Sequence, residues 1–290
     1  MATSYTLYTL QPTVAPRLPA APGQYDARFI EQYSNILRLY FNQLDNLLAA
    51  ILSSTGGDYL AFPYGAFHQN GNTTLSSGIT NVSTTPISVA STTGFPSSGW
   101  ILIESEIIAY TGKTSTTFTG ITRGVFGTTQ AAHTAGALIT EVQGTGSPTT
   151  IGKVLFNNTD YSNGVAVNSA DQTKVVFSKP GIYNLTFSAQ ILSYTNSPDN
   201  VTIWFRVNGV DVPASASIGT VPSIHGGVAG ATIMTVNLYQ QLNINDYVQL
   251  AWTTDAGTSV LASFPAGTSP VHPVSPGVIF TTQFVSALPT

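Results

Sequence analysis

The sequence predicts a mainly β chain with one helix near its start, and three observations carry that reading. Charged residues make up only 8 % of the 290, while hydrophobic ones make up 42 %, so the chain is neither a polar disordered segment nor an ordinary highly charged domain. Short apolar or alternating runs recur between clusters of Gly, Ser, Thr and Asn, as strands do between turns. A single stretch, about residues 26–52, has a helical period. The chain divides accordingly into an extended proline-rich arm over 1–25, a helix over 26–54, a small β-module with a linker over 55–148, and an antiparallel sandwich over 149–290.

Pro12, Pro16, Pro19 and Pro22 fix φ and remove backbone donors, so the arm is expected to run extended, either as a floppy tail or as an anchoring arm that orders only against a partner protein. Asp26 is placed to cap the helix. Ile30, Tyr33, Leu37, Tyr40, Leu44, Leu47 and Ile51 then follow in steps of three and four, the seam of a coiled coil. Phe29, Ile36, Phe41 and Leu48 widen the stripe. Such a helix either packs on its own chain's β-structure or self-associates. The prolines before it and Gly56-Gly57 after it favour self-association.

In the β-module, Trp100 to Tyr110 and Thr116 to Thr122 read as strands, with tight turns at Gly112 and Gly120. Glu104 and Glu106, two apart on a strand, are expected on one solvated face. A linker over 144–150 follows. Strands are then expected over 174–177, 181–191, 201–207, 231–237, 246–252 and 277–285, with Asn208-Gly209 as a hairpin turn. Trp100, Trp204 and Trp252 fall within strands and are expected in the core.

Composition excludes several functions. A net charge of -4 with only nine basic residues leaves no basic stripe for nucleic acid. Without cysteine there is no disulfide, thiolate nucleophile or Cys-ligated zinc. No apolar run is long enough for membrane insertion. Met1 to Leu10 lacks the pattern of a secretory signal, so assembly in a cytoplasm is expected.

Chemistry is sparse as well. Thr111-Gly-Lys-Thr114 lacks the earlier glycine of a P-loop, since Ile107 stands there, and no helix is expected after it. Gly-x-Ser-x-Gly is absent. The four histidines, His68, His133, His225 and His272, have no metal-ligand spacing. His225 and His272, in loops of the sandwich, are the one pair that folding could bring together. No catalytic residue, cofactor or metal is expected.

Two resemblances add to this reading. Phe177-x-x-Pro-Gly-Ile-Tyr183, Val201 to Gly209 ending in Val-Asn-Gly, Leu242-x-x-x-Asp-Tyr-Val-Gln-Leu250 and a final strand after Gly277 resemble the C1q/TNF-like jelly roll over roughly the last 140 residues, with Asn245 where that family often has Gly. The resemblance implies a ten-stranded sandwich and a compact homotrimer, and it makes the seven seam residues a trimer interface. Leu60-Ala-Phe-Pro-Tyr-Gly-Ala-Phe-His-Gln69, and Ser91 to Ile103 with Ile121-Thr-Arg-Gly-Val-Phe-Gly127, resemble proteins of marine tailed phages. They imply a non-enzymatic virion structural protein, either a short fibre or spike or a capsid decoration protein, held by its N-terminal arm to other virion proteins of capsid or tail. The rival expectations are a tail or baseplate protein that binds host-surface glycan and, behind it, a polysaccharide depolymerase.

Overall fold

The computed structural model describes residues 14–20, 22–52, 62–268 and 271–288. It comprises two compact units, Met1–Phe62 and Pro63–Thr290. The chain is mainly β, with antiparallel sheets and one helix among the described residues.

In the first unit, residues 14–20 form neither helix nor strand, as a chain held by Pro16 and Pro19 requires. Pro12 and Gly56-Gly57 lie outside the described residues. The helix, α1, runs Ala27–Leu52. It starts where Asp26 caps it: the Asp26 carboxylate accepts from the Arg28 N–H at 2.9 Å, and its carbonyl accepts from the Ile30 N–H at 3.2 Å, satisfying donors the first turn leaves open.

The second unit is built around two sheets. Five strands of the larger sheet run in the order Asn158–Asn163, Tyr64–Gln69, Val278–Ser286, Gly181–Ser193, Gly230–Leu242. The smaller sheet runs Val165–Val167, Val175–Phe177, Tyr247–Thr254, Asp199–Val207, Ser217–Val221, with short strands at its margins. Both contribute to one core. Along Gly181–Ser193 the inward positions Tyr183, Leu185, Phe187, Ala189 and Ile191 are all buried, which is the period of two expected of a strand with one face on a core. Rings meet across the core: Phe187 and Phe205 lie 5.5 Å apart in edge-to-face contact, and Phe205 lies 5.9 Å from Phe280. The Asn208-Gly209 turn is formed as expected, with φ of 51° and 81° and Val207 opposite Val210.

The boundary expected at 148/149 does not coincide with the division between the sheets. Tyr64–Gln69 lies between Asn158–Asn163 and Val278–Ser286, so the sandwich begins before the β-module, and the module is an insertion between its first two strands. The module has its own core, including Ile101, Ile103, Ile108, Tyr110, Phe118 and Ile139. Its sheet continues into the larger sheet through Val260–Ala262, which pairs with Leu138–Gly144 on one side and with Ile191 and Leu192 on the other. The 144–150 stretch is no free linker: a side chain at Gly257 would meet the Ser147 backbone at 2.8 Å.

Phe205→Ala removes a ring that reaches from the smaller sheet to Phe187 and Phe280 of the larger, and it is expected to cost about 3–5 kcal/mol in urea unfolding.

Candidate assembly surfaces

α1 carries the seven residues at which a seam is expected. Tyr33, Leu37, Tyr40, Leu44, Leu47 and Ile51 are half-buried and Ile30 is exposed. No described side chain of this unit is buried. What covers the seam in part is the helix itself: Phe29 stacks on Tyr33 at 6.1 Å, and Tyr40 lies 5.8 Å from Phe41. Leu39, Phe41 and Leu48 are exposed. An isolated helix draws most of its stability from packing an apolar face, and none of this face is packed to burial.

The second surface is the outer face of the larger sheet, where register places side chains in rows. One row runs Tyr161, Ala66, Thr281, Thr186, Asn237. The next runs Asn163, Tyr64, Gln283, Asn184, Tyr239, and a third Asn158, His68, Ile279, Ser188, Thr235. These rows contain no Lys, Arg, Asp or Glu. The ion pair on this face is His68 with Asp160 at 3.0 Å. Tyr161, Ile233 and Tyr239 are 72 %, 67 % and 66 % exposed. The smaller sheet differs. Its outward Trp204 and Arg206 share Asp211, at 2.7 and 2.8 Å, and Lys174 pairs with Asp171 while lying over the Tyr247 ring. Rows of hydroxyls, amides and apolar groups can be covered without desolvating an ionised group, whereas covering the smaller sheet's outer face would take its ion pairs out of water.

The other sequence candidates are placed as follows. Glu104 and Glu106 do not share a solvated strand face. The strand breaks after Ile103, and Glu104, at φ 55°, lies in the tight turn that brings Ile103 opposite Glu106. Glu106 is fully buried. Its carboxylate accepts from Arg123 Nε and a second guanidinium nitrogen at 2.6 and 2.7 Å, from the Gly124 and Ala131 N–H groups, and lies 2.9 Å from His133 Nε2. His133 Nδ1 faces Glu104 at 3.0 Å. Burial alone pushes the Glu106 carboxyl up, but the bonds from Arg123, Ala131 and His133 and the Arg123 charge together hold it below its ordinary value. With every partner filled, this cluster clamps the module's hairpins.

Gly112–Lys113 is a strand, not a phosphate loop, and Lys113 donates to the carbonyls of Thr92 and Phe95. His225 and His272 are both exposed, and no hydrogen bond or ion pair joins them among the described residues. No group of three or more His, Asp or Glu is placed to hold a metal among the described residues. Of the three tryptophans only Trp252 is buried; Trp100 and Trp204 are half-exposed.

Sequence reasoning missed Glu141. It is 1 % exposed, in the strand that joins module to sandwich. Burial pushes its carboxyl up to about 7, against bonds from Gln69 and Asn157 and the Lys113 charge. Alternation within Leu138–Gly144 is too short to reveal it.

Two predictions follow from these buried groups. Arg123→Met leaves the Glu106 carboxylate buried without its cation and is expected to lower stability by about 3–5 kcal/mol, most of it recovered when Glu106→Gln is added; urea midpoints of the three variants measure this. Glu141, whose carboxyl is raised on folding, contributes stability that is full below about pH 4.5 and lost as pH rises through about 7. Glu141→Gln is therefore expected to match the parent protein at pH 5 and to exceed it at pH 8 by up to about 3 kcal/mol, read from unfolding curves at the two pH values.

Set against known protein families and curated proteins, the chain matches no family model and no curated protein.

Proposed function

We propose that this chain is a non-enzymatic structural protein of a bacteriophage particle, a homotrimeric short fibre, spike or capsid decoration protein. It is anchored by its N-terminal arm and displays a C1q/TNF-like jelly roll. The observation that carries the reading is the outer face of the larger sheet, whose three central rows hold no Lys, Arg, Asp or Glu, together with the uncovered apolar stripe of α1. Copies that meet through these surfaces bury apolar and hydroxyl groups without like-charge repulsion.

The jelly-roll assignment is supported by strand order. Leaving aside the module's strands, Val260–Ala262 and the two-residue strands at the margins, the ten strands that remain, Tyr64–Gln69 first, divide five and five between the eleven-stranded and the seven-stranded sheet. Asn245, where the family often has Gly, stands at φ 66°, a conformation that Asn tolerates as Gly does. The seven residues from Ile30 to Ile51 supply the trimer seam. The α1 helix, 26 residues long, spans only about 40 Å at the helical rise, which suits a stub better than a long shaft. The arm suits docking on another virion protein. Assembly in the host cytoplasm and incorporation into the virion complete the proposal, with display as its function.

Thr186→Glu with Thr281→Glu sets two carboxylates side by side in the middle row of the face. In sedimentation velocity at micromolar concentration the parent chain is expected at three times its chain mass. The double variant is expected to shift to a single copy, with an unchanged β circular-dichroism spectrum. A parent chain that sediments as one copy, or a double variant that still sediments as the trimer, contradicts the proposed interface.

A further inference from the structure

The strand Gly230–Leu242 stands at a margin of the larger sheet. It pairs along all its thirteen residues with Gly181–Ser193, and no other strand pairs with it among the described residues. Its second edge is therefore open, and every other residue turns its N–H and C=O toward that edge. Sheets ordinarily blunt such an edge with a charged side chain, a proline, a bulge or a short strand. Gly230–Leu242 has none of these: it holds no charged residue and no proline, and its pairing runs without a register shift. Only its first residue is hindered, since the Pro222 carbonyl lies against Gly230.

The side chains at this margin also lack a neighbour. Val236 and Leu238 pack against the core yet stay half-buried, and Ile233 and Tyr239 on the outer face are exposed. The strand is moreover its own complement. Two identical antiparallel strands related by a two-fold axis set residues of the same facing opposite each other. The register of fullest overlap puts Val236 on the axis. Met234 then lies opposite Leu238 and Thr232 opposite Gln240 on the core side. On the outer side Ile233 meets Tyr239 and Thr235 meets Asn237. Apolar groups face apolar groups, hydroxyls face amides, and no charge is set against a charge.

We propose that copies from two different trimers join edge to edge through Gly230–Leu242, so that their larger sheets continue into one another across a two-fold axis at Val236. The partner is a second copy of this chain, and the contact is isologous. It uses the edge of the sheet, whereas the trimer uses its outer face and α1. A joint of one strand pair is small beside the roughly 1,200 Å² that stable specific interfaces bury. Trimers therefore stay separate at micromolar concentration and join where many copies stand close together, as on a particle surface.

Cysteine cross-linking tests the joint, because the chain has no cysteine of its own. Val236→Cys sets two thiols opposite each other across the axis, close enough for a disulfide. Thr232→Cys does not, since its counterpart lies eight residues along the pair, about 27 Å away at the strand rise. Under mild oxidation at millimolar concentration, Val236→Cys is expected to give a linked pair of chains on a denaturing gel. Thr232→Cys and Gln240→Cys are each expected to stay unlinked alone and to link when mixed, which carries the test should Val236→Cys fail to fold. The gel reads the joint and sedimentation reads the trimer, so failure of either is seen apart from the other. A link in Val236→Cys or in the mixture, absent from the two single variants, supports the proposal. No link in either, or a link in Thr232→Cys alone that forms as readily, overturns it.

Discussion

The strand Gly181–Ser193 is the constraint on which the rest of the second unit depends. It pairs along all its thirteen residues with Gly230–Leu242 and on its other edge with Val278–Ser286. Its last turn of pairing, at Ile191 and Leu192, receives Val260–Ala262 and through it the inserted module. Because side chains alternate strictly along a strand, one sequence serves two purposes here. Its odd positions fill the aromatic core, and its even ones, Asn184, Thr186 and Ser188, form the neutral rows of the outer face. A slip of one residue in this strand would put Phe187 outside and Thr186 in the core.

The scarcity of charge has a structural counterpart. Of the buried acidic and basic side chains, Glu106, Arg123 and His133 hold one another in the module, and Asp199, in the smaller sheet, accepts from the Ala256 and Ser259 N–H groups and from the Thr258 and Ser259 hydroxyls. The larger sheet's outer rows hold Thr, Asn, Gln, Ser, Tyr, Ala, Ile and His68, with Asp160 beside the histidine. Burying charge is costly unless it is fully paired. A sheet face whose central rows hold no Lys, Arg, Asp or Glu is suited to close contact between copies. In the proposed reading the module stiffens the base of the sandwich, and the helix and sheet face hold the copies together.

Much of this was legible in the sequence because it is local. The Asp26 cap, the period of α1, the Asn208-Gly209 turn and the long alternating strands each depend on residues close together in the chain. What was not legible depends on distant partners. Tyr64–Gln69 shows its role only when Asn158–Asn163 and Val278–Ser286 take their places on either side of it, more than ninety and two hundred residues away. Glu106 reads as a surface residue until Arg123 and His133 close over it. The turn at Glu104 has no Gly, Asn or Asp to announce it.

The central claim, that this chain is carried on a phage particle, is tested most directly by cryo-electron microscopy of candidate particles. The account predicts stubby projections with three-fold symmetry on head or tail, in which the α1 seams face one another and the neutral sheet face is turned toward neighbouring copies. Particles that lack the chain, or that hold it as single copies with that face open to solvent, would contradict it.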